Sequence, residues 1–239
     1  MAWFFSGEEI VSDTYYLSGE NAQHAKVLRL RTGEEVTVVT PSGGQCDCVV
    51  AAENELRVVN RKKFENEPDV FVTLYQALPK GDKMDYIVQK CVELGVGKIV
   101  PMISSRCISR PDEKSLKKKR ERWQKIALQA AMQSRRGRIP EVCPCVSFSE
   151  AAQMTRENDK TVFFYELGGE SVKRILSETA PKPKTIGMFI GSEGGFDEAE
   201  VKTVTAHGGV AATLGKRILR AETAPLAALS IIMYQTDNF

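Results

Sequence analysis

The sequence predicts an α/β protein in two parts, a small β-rich N-terminal domain and a larger C-terminal domain built on a parallel sheet. Three observations carry that reading. From Val70 onward, apolar runs of strand length alternate with stretches of helical period, and the order βαβαβαβαβα places parallel strands under helices on both faces. Before Arg61 the runs are strand-like and broken by turn residues. Residues 61–69 are polar and close on Pro68, a linker pattern that sets the domains at 1–68 and 69–239.

Residues 36–40 (VTVVT) and 48–51 read as strands around the turn signal Pro41-Ser42-Gly43-Gly44, and 56–60 offers a third. Ahead of them, residues 24–31 form a short helical or extended stretch carrying Lys26, Arg29 and Arg31. The second domain opens on an apolar strand, 70–75 (VFVTLY), which Lys80-Gly81-Asp82 breaks. Asp82 is the expected N-cap of a helix on which Met84, Ile87, Val88, Cys91 and Val92 share one face. A strand at 98–103 precedes a long basic helix from Ser115, with Trp123, Ile126, Ala127, Ala130 and Ala131 on one stripe, ending near Arg135-Arg136-Gly137. A weak strand at 141–146, a short helix at 149–157 and a strand at 161–165 (TVFFY) follow. Then come a glycine loop, Glu166-Leu167-Gly168-Gly169, a short helix at 171–176 and a surface turn at Pro181-Lys182-Pro183.

Residues 185–190 (TIGMFI) are nearly uncharged, as in a strand buried on both faces. The loop Gly191-Ser192-Glu193-Gly194-Gly195-Phe196 follows. Asp197-Glu198 then supplies an N-cap and an acidic first turn for a helix that Gly208-Gly209 stops. Strand 210–214 leads into Gly215-Lys216-Arg217-Ile218-Leu219-Arg220-Ala221-Glu222-Thr223. The last helix, 224–235, takes Pro225 in its first turn and is apolar nearly all round, so the sandwich or a second copy of the chain must cover it.

Two glycine-bearing loops one strand–helix–strand unit apart open at the same carboxyl edge of a parallel sheet, where such sheets bind ligands. Glycines let backbone approach a ligand closely, and helix N–H groups point at it. A tight turn without a ligand explains one such loop equally well. The spacing fits neither G-x-G-x-x-G nor the phosphate loop, which disfavours a plain dinucleotide or ATP site.

Composition narrows the class. An apolar content of 42% with 27% charged residues is ordinary for a soluble domain with a real core. No run approaches the roughly eighteen apolar residues of a membrane span. The start MAWFFSGEEI lacks a basic n-region, so it is not read as a secretory signal, and a cytoplasmic protein is expected. Six cysteines, among them the C-x-C pairs Cys46/Cys48 and Cys143/Cys145, lack zinc spacing, so structural thiols and no metal are expected. The net charge of +2 suggests no polyanion partner, yet residues 114–138 hold ten Lys and Arg against one acid, Glu121. A solvated helix face is the general explanation of such a run. A one-signed excess points as well to contacts with a phosphate backbone.

GSEGGF followed by LGKRILRAETAPLAAL resembles the knotted SPOUT methyltransferases, and most closely the ribosomal RNA small subunit methyltransferase E family. HAKVLRLRTGE and QALPKGDKMDYIVQKCVELGV extend the resemblance over nearly the whole chain. It implies a trefoil knot in the C-terminal domain and a PUA-like RNA-binding N-terminal domain. It also implies a homodimer, S-adenosylmethionine as cofactor, and methylation of uridine N3 in small-subunit (16S) ribosomal RNA or the assembled subunit. The chain departs from the family pattern at Ser192, usually proline, and in the usual E-Q-S-G-R stretch at Met132 and Arg135. Serine at 192 frees a φ that proline would have fixed.

The resemblance maps the cofactor onto three loops: Leu167-Gly168, Gly191 with Glu193, Gly194 and Gly195, and Leu214-Gly215 with Ile218, Leu219 and Thr223. Lys26, Arg29, Arg31, Arg136 and Arg138 become candidate RNA contacts, with active-site binding across the dimer the alternative for Arg136. N3 of uridine carries a proton at neutral pH, so transfer needs a base and a cation near the developing anion. Arg220 is the expected cation, Glu222 its orienting partner or the base, and Glu193 the competing base. An Arg–Glu pair that merely shapes the loop is the structural alternative. Two rivals share the fold: a methyltransferase acting on another base or on ribose, and a non-catalytic RNA-binding assembly factor.

Overall fold

A computed structural model describes residues 1–179 and 181–239, and the chain divides into two compact units. The first comprises Met1–Glu67 together with Ala131–Ile139; the second is Pro68–Ala130 with Pro140–Phe239.

The first unit holds β1 (Ala2–Phe5), β2 (Thr14–Tyr16), α1 (Gly19–Leu28), β3 (Glu35–Val39), β4 (Gly44–Ala52) and β5 (Glu55–Lys63). They form a sheet in the order β1-β3-β4-β5-β2, antiparallel except where β1 runs parallel to β3. Two strands go beyond the sequence reading: β1, whose Trp3 and Phe4 enter the core, and β2. The expected linker is also shorter, because residues 61–63 still pair in β5 and Phe64 is buried. The segment 131–139 closes this unit. Trp3 Nε1 donates to the Arg136 carbonyl at 3.0 Å, and the Trp3 ring meets Phe64 edge-on. A Cβ on Gly137 would run into that Phe64 ring, so the segment passes as bare backbone.

The second unit begins with β6 (Phe71–Ala77), α2 (Lys83–Glu93), β7 (Lys98–Ile103) and α3 (Glu113–Gln133), whose final residues belong to the first unit. It continues through β8 (Glu141–Val142), β9 (Val146–Ser147), α4 (Phe148–Gln153), a 3₁₀ turn (Met154–Glu157) and β10 (Lys160–Phe164). The last elements are β11 (Glu170–Ser171), α5 (Val172–Ser177), β12 (Thr185–Ile190), α6 (Glu198–Ala206), β13 (Gly209–Thr213) and α7 (Ala224–Gln235). Among the described residues the sheet runs β11-β13-β10-β12-β6-β7-β8, with β9 also on β7, and every pairing is parallel. All carboxyl ends therefore open on one edge.

The period-based expectations locate the core. Met84, Ile87, Val88, Cys91 and Val92 are all buried on α2. Asp82 stands at the N-cap of that helix but makes no side-chain cap bond. The sheet's own core is aromatic: Tyr75 stacks on Phe189 with centroids 4.3 Å apart, and Phe163 lies 4.3 Å from Phe196. Phe196 is fully buried, so the end of the glycine loop is pinned from below. α7 buries Pro225, Ala228, Leu229, Ile232 and Met233 against α2, α5 and the sheet, while Ile231 and Tyr234 stay exposed. Among the described residues no helix is long and apolar enough to cross a membrane.

Candidate functional site

The loops after β10, β12 and β13 meet at the carboxyl edge and enclose a cleft of about 600 Å³, its open mouth included. Ile190, Leu214, Ile218, Leu219, Ala221 and Ala224 give it apolar walls; Glu166, Ser192 and the backbone of Gly191, Gly195 and Gly215 supply polar groups. The β12 loop is a tight turn: Gly195 N donates to Ser192 O at 3.0 Å with Gly195 at φ +64°. Glycine suits that positive φ, and a Cβ there would displace the Glu166 carboxylate.

Outside the cleft the turn is buttressed. Gln76, wholly buried at the end of β6, donates through Nε2 to the Gly191 carbonyl at 3.3 Å. Arg106, in the loop after β7, donates to Gly194 O at 3.0 Å, and its own carbonyl accepts from Ser192 Oγ at 3.4 Å. Serine in place of the family's proline thus finds a partner. The α6 N-terminus, expected to face a ligand, is instead self-contained. Asp197 caps Glu200 N at 2.8 Å, and the buried Glu200 carboxylate accepts from Asp197 N and from Ser105 N.

Of the residues assigned from the sequence, Gly191, Gly195, Leu214, Gly215, Ile218 and Leu219 line the cleft together. Leu167, Gly168, Glu193, Gly194, Thr223, Arg220 and Glu222 are not among its lining residues, and Leu167 points into solvent, 77% exposed. Glu193 and Glu222 are nevertheless brought together by Lys83, the first residue of α2. Its Nζ donates to Glu193 Oε1 at 2.8 Å and lies 3.1 Å from Glu222 Oε2. Glu193 also accepts from Lys80 N at 3.2 and 3.3 Å. Glu222 Oε2 is shielded from solvent, and the lysine approaches it off the angle of a directed hydrogen bond.

The electrostatics follow. The Lys83 ammonium is held above its ordinary pKa by its hydrogen bond to Glu193 and then by the Glu222 carboxylate paired with it. Glu222 is held below the usual carboxylate range, first by its own backbone N–H, then by Lys83 and Arg220 against the opposing effect of burial. For Glu193, burial is the largest influence and raises the value, but hydrogen bonds from Lys83 and the Lys80 backbone outweigh it. Arg220 is exposed beside this cluster, and the sequence reading assigned no site role to Lys83, to Glu166 or to the cleft-lining Arg217.

The candidate RNA contacts divide. Lys26, Arg29 and Arg31 are exposed and line one recess of about 870 Å³, its open mouth included, on the first unit. Arg136 is a correction: its side chain is 6% exposed and pairs bidentately with Glu67 at 2.8 and 2.7 Å, which removes it from the surface. The charge sign of a run cannot tell an inward arginine from an outward one. Arg138 stays half-exposed, 3.1 Å from the same carboxylate. On α3, Lys114, Lys117, Lys118, Arg122 and Lys125 face solvent, with Arg122 also paired to Asp85. All six cysteines are free, and burial pushes the Cys48 thiol up to about 12 and Cys145 to about 11, so these thiols stay protonated. Among the described residues no group of three or more His, Cys, Asp and Glu is placed to hold a metal ion.

Comparison with known proteins gives matches along the chain. An RNA methyltransferase domain model matches residues 66–233, and an RNA methyltransferase PUA domain model matches 17–59. The ribosomal RNA small subunit methyltransferase E of Bacillus subtilis (strain 168) is 37% identical over 233 residues, covering 94% of this chain and 91% of that protein. Its counterpart from Aquifex aeolicus (strain VF5) is 32% identical over 96% of this chain and 98% of its own length. The crystal structure of the Neisseria gonorrhoeae enzyme of the same name, bound to S-adenosyl methionine, superposes with a TM-score of 0.86 at 34% identity, covering 98% and 97% of the two chains.

Proposed function

The chain belongs to the RNA methyltransferase family of ribosomal RNA small subunit methyltransferase E, and from that premise we propose that it methylates N3 of a uridine in small-subunit ribosomal RNA with S-adenosylmethionine as donor. The observation that carries this reading is the cleft of three strand-end loops with the Lys83–Glu193–Glu222 cluster and Arg220 next to it in the chain.

The cleft suits that cofactor. Ile190, Leu214, Ile218 and Leu219 match the flat apolar adenine, the backbone of Gly191 and Gly215 can meet its hydrogen-bonding edge, and the Glu166 carboxylate suits hydroxyls or a cationic centre. When bound, S-adenosylmethionine supplies an electrophilic methyl group on a positive sulfur. The protein's part is then to hold the acceptor and remove its proton. Glu222, kept ionised by Lys83 and Arg220, takes the N3 proton; Arg220, exposed beside it, offsets the negative charge that develops on the base. Glu193, with its hydrogen bonds already made, serves as a latch between loops rather than as the base. N3 lies on the Watson–Crick edge, so the target uridine is unpaired or flipped out.

Lys26, Arg29 and Arg31 form the RNA-contacting recess of the first unit, with Arg138 and the outer face of α3 as further phosphate contacts. The exposed part of α7, including Ile231 and Tyr234, is the interface of a homodimer. A ribosomal substrate places the enzyme in the cytoplasm.

The test is transfer of labelled methyl from S-adenosylmethionine to small ribosomal subunits lacking the modification, followed by nucleoside identification. Label in 3-methyluridine is expected. Label on another base or on ribose would overturn the target, and no label would leave an RNA-binding factor.

A further inference from the structure

We propose that Lys83 is the positioning residue of the transfer step: one ammonium, shared by Glu193 and Glu222, ties two loops that border the cleft and holds the Glu222 carboxylate ready for the acceptor's N–H. The inference rests on the methyltransferase reading above and adds to it a residue outside the glycine motifs.

Three features of the cluster argue for it. Lys83 is the first residue of α2, where a cation opposes the helix dipole, so its placement there needs a compensating partner. It has two, and they come from different loops. Glu193 follows Ser192 and Glu222 follows Ala221, both cleft-lining residues, so the lysine spans the two loops whose spacing shapes the site. The two carboxylates are also unequal. Glu193 is held by the Lys80 backbone and by a directed bond from Lys83, whereas Glu222 Oε2 is shielded from water and keeps an acceptor position unused. The Glu222 carboxylate, held beside the ammonium at 3.1 Å, remains an acceptor, and the imide N–H of an unpaired uridine is a donor for it.

The groups facing Glu222 are Lys83 from α2, Arg220 from its own turn and, across the ammonium, Glu193. Lys83 therefore has two tasks. It fixes where the carboxylate stands, and it keeps the carboxylate ionised while substrate is bound, so that the N3 proton has somewhere to go.

The experiment compares wild type, Lys83→Met and Lys83→Arg in three readouts. These are cofactor affinity by calorimetry, single-turnover methyl transfer to unmodified small subunits across pH at saturating cofactor, and carbon NMR titration of the glutamate carboxylates without cofactor or RNA. The Lys83 side chain is 35% exposed, so the substitutions are tolerated by the fold. For Lys83→Met the transfer rate falls by roughly 10- to 100-fold, the scale of a misplaced catalytic group. Cofactor affinity stays near wild type, and the acid limb of the rate moves to higher pH. Glu222 titrates below the ordinary range in wild type and rises in the methionine variant, and Lys83→Arg restores most of both. A wild-type rate in Lys83→Met with an unmoved Glu222 titration would overturn the proposal. So would a loss confined to cofactor affinity, which makes Lys83 a loop strut. Wild-type protein that transfers no methyl would remove the enzyme reading and the positioning role together, and that control tells the two failures apart.

Discussion

Two clusters of basic and acidic side chains, one in each unit, differ in kind. In the first unit Glu67 accepts both arms of Arg136, the Gly137 N–H at 2.8 Å and Arg138 at 3.1 Å, with the pair almost wholly buried. Donors converge on both carboxylate oxygens, and the cluster is closed. In the second unit Lys83 serves two carboxylates at once, about one-third exposed, and leaves Glu222 Oε2 short of a directed donor. A closed cluster holds chain segments together; an open one keeps capacity for a group that is not part of the protein. Burial alone does not separate them, since both contain shielded atoms. Completeness of hydrogen bonding does.

The contrast breaks in different assays. Glu222→Gln keeps shape and removes the base, so turnover should fall by about 10²- to 10⁴-fold while the denaturation midpoint barely moves; near-normal turnover would return the base to Glu193. Arg220→Ala should also lower turnover by about 10²-fold or more with cofactor affinity nearly kept. In the closed cluster the loss is of stability. Glu67→Ala strands the buried Arg136 guanidinium and should cost about 3–5 kcal/mol in urea unfolding; a loss under about 1 kcal/mol would show that water reaches the site. Alanine at Lys26, Arg29 and Arg31 together should weaken RNA binding and flatten its salt dependence by up to about 0.7–0.9 per lost contact. Cofactor binding should be untouched, and unchanged RNA affinity would remove that recess from the interface.

The smallest effect sits beside Arg136. Arg135, two residues past the end of α3, sits at φ +55°, the left-handed position where the glycine of the resembled motif pays no steric penalty. Arg135→Gly should therefore stabilise the protein by up to about 1 kcal/mol, read as a rise in melting temperature. pH offers a further check on the open cluster. Glu193 and Glu222 are lowered, so their pairing is lost as pH falls through those depressed values; Lys83 is raised, so it is lost only as pH climbs past the ordinary lysine range. Activity should hold between those limits and fail on the acid side below the ordinary glutamate pKa.

Periodicity made most of the second unit legible. The apolar positions of α2 and the strands 98–103 and 185–190 need only local pattern. β1 was not legible because Trp3 and Phe4 sit at the chain start and pair in parallel with β3, more than thirty residues away. β11 has two residues, too few for any period. Within the site, glycine spacing located the loops and the cleft. It could not locate Lys83, which lies 110 residues from Glu193 and meets it only when β6 pairs with β12. Nor could it turn Arg136 inward, since that depends on Glu67 from a different stretch. Local pattern specifies elements; ion pairs between distant stretches are tertiary facts.

The closing of the first unit by residues 131–139 has a consequence in time. Residues 68–130, a stretch of 63, are made between Glu67 and that segment. At roughly 5–20 residues per second the ribosome spends about 3–13 s on them. For that interval the nascent N-terminal sheet lacks the arginine that answers Glu67 and the backbone that covers Trp3 and Phe64. The first unit is thus completed only after residues 68–130 have been made. Its exposed aromatic edge during that delay is where a chaperone would find a grip.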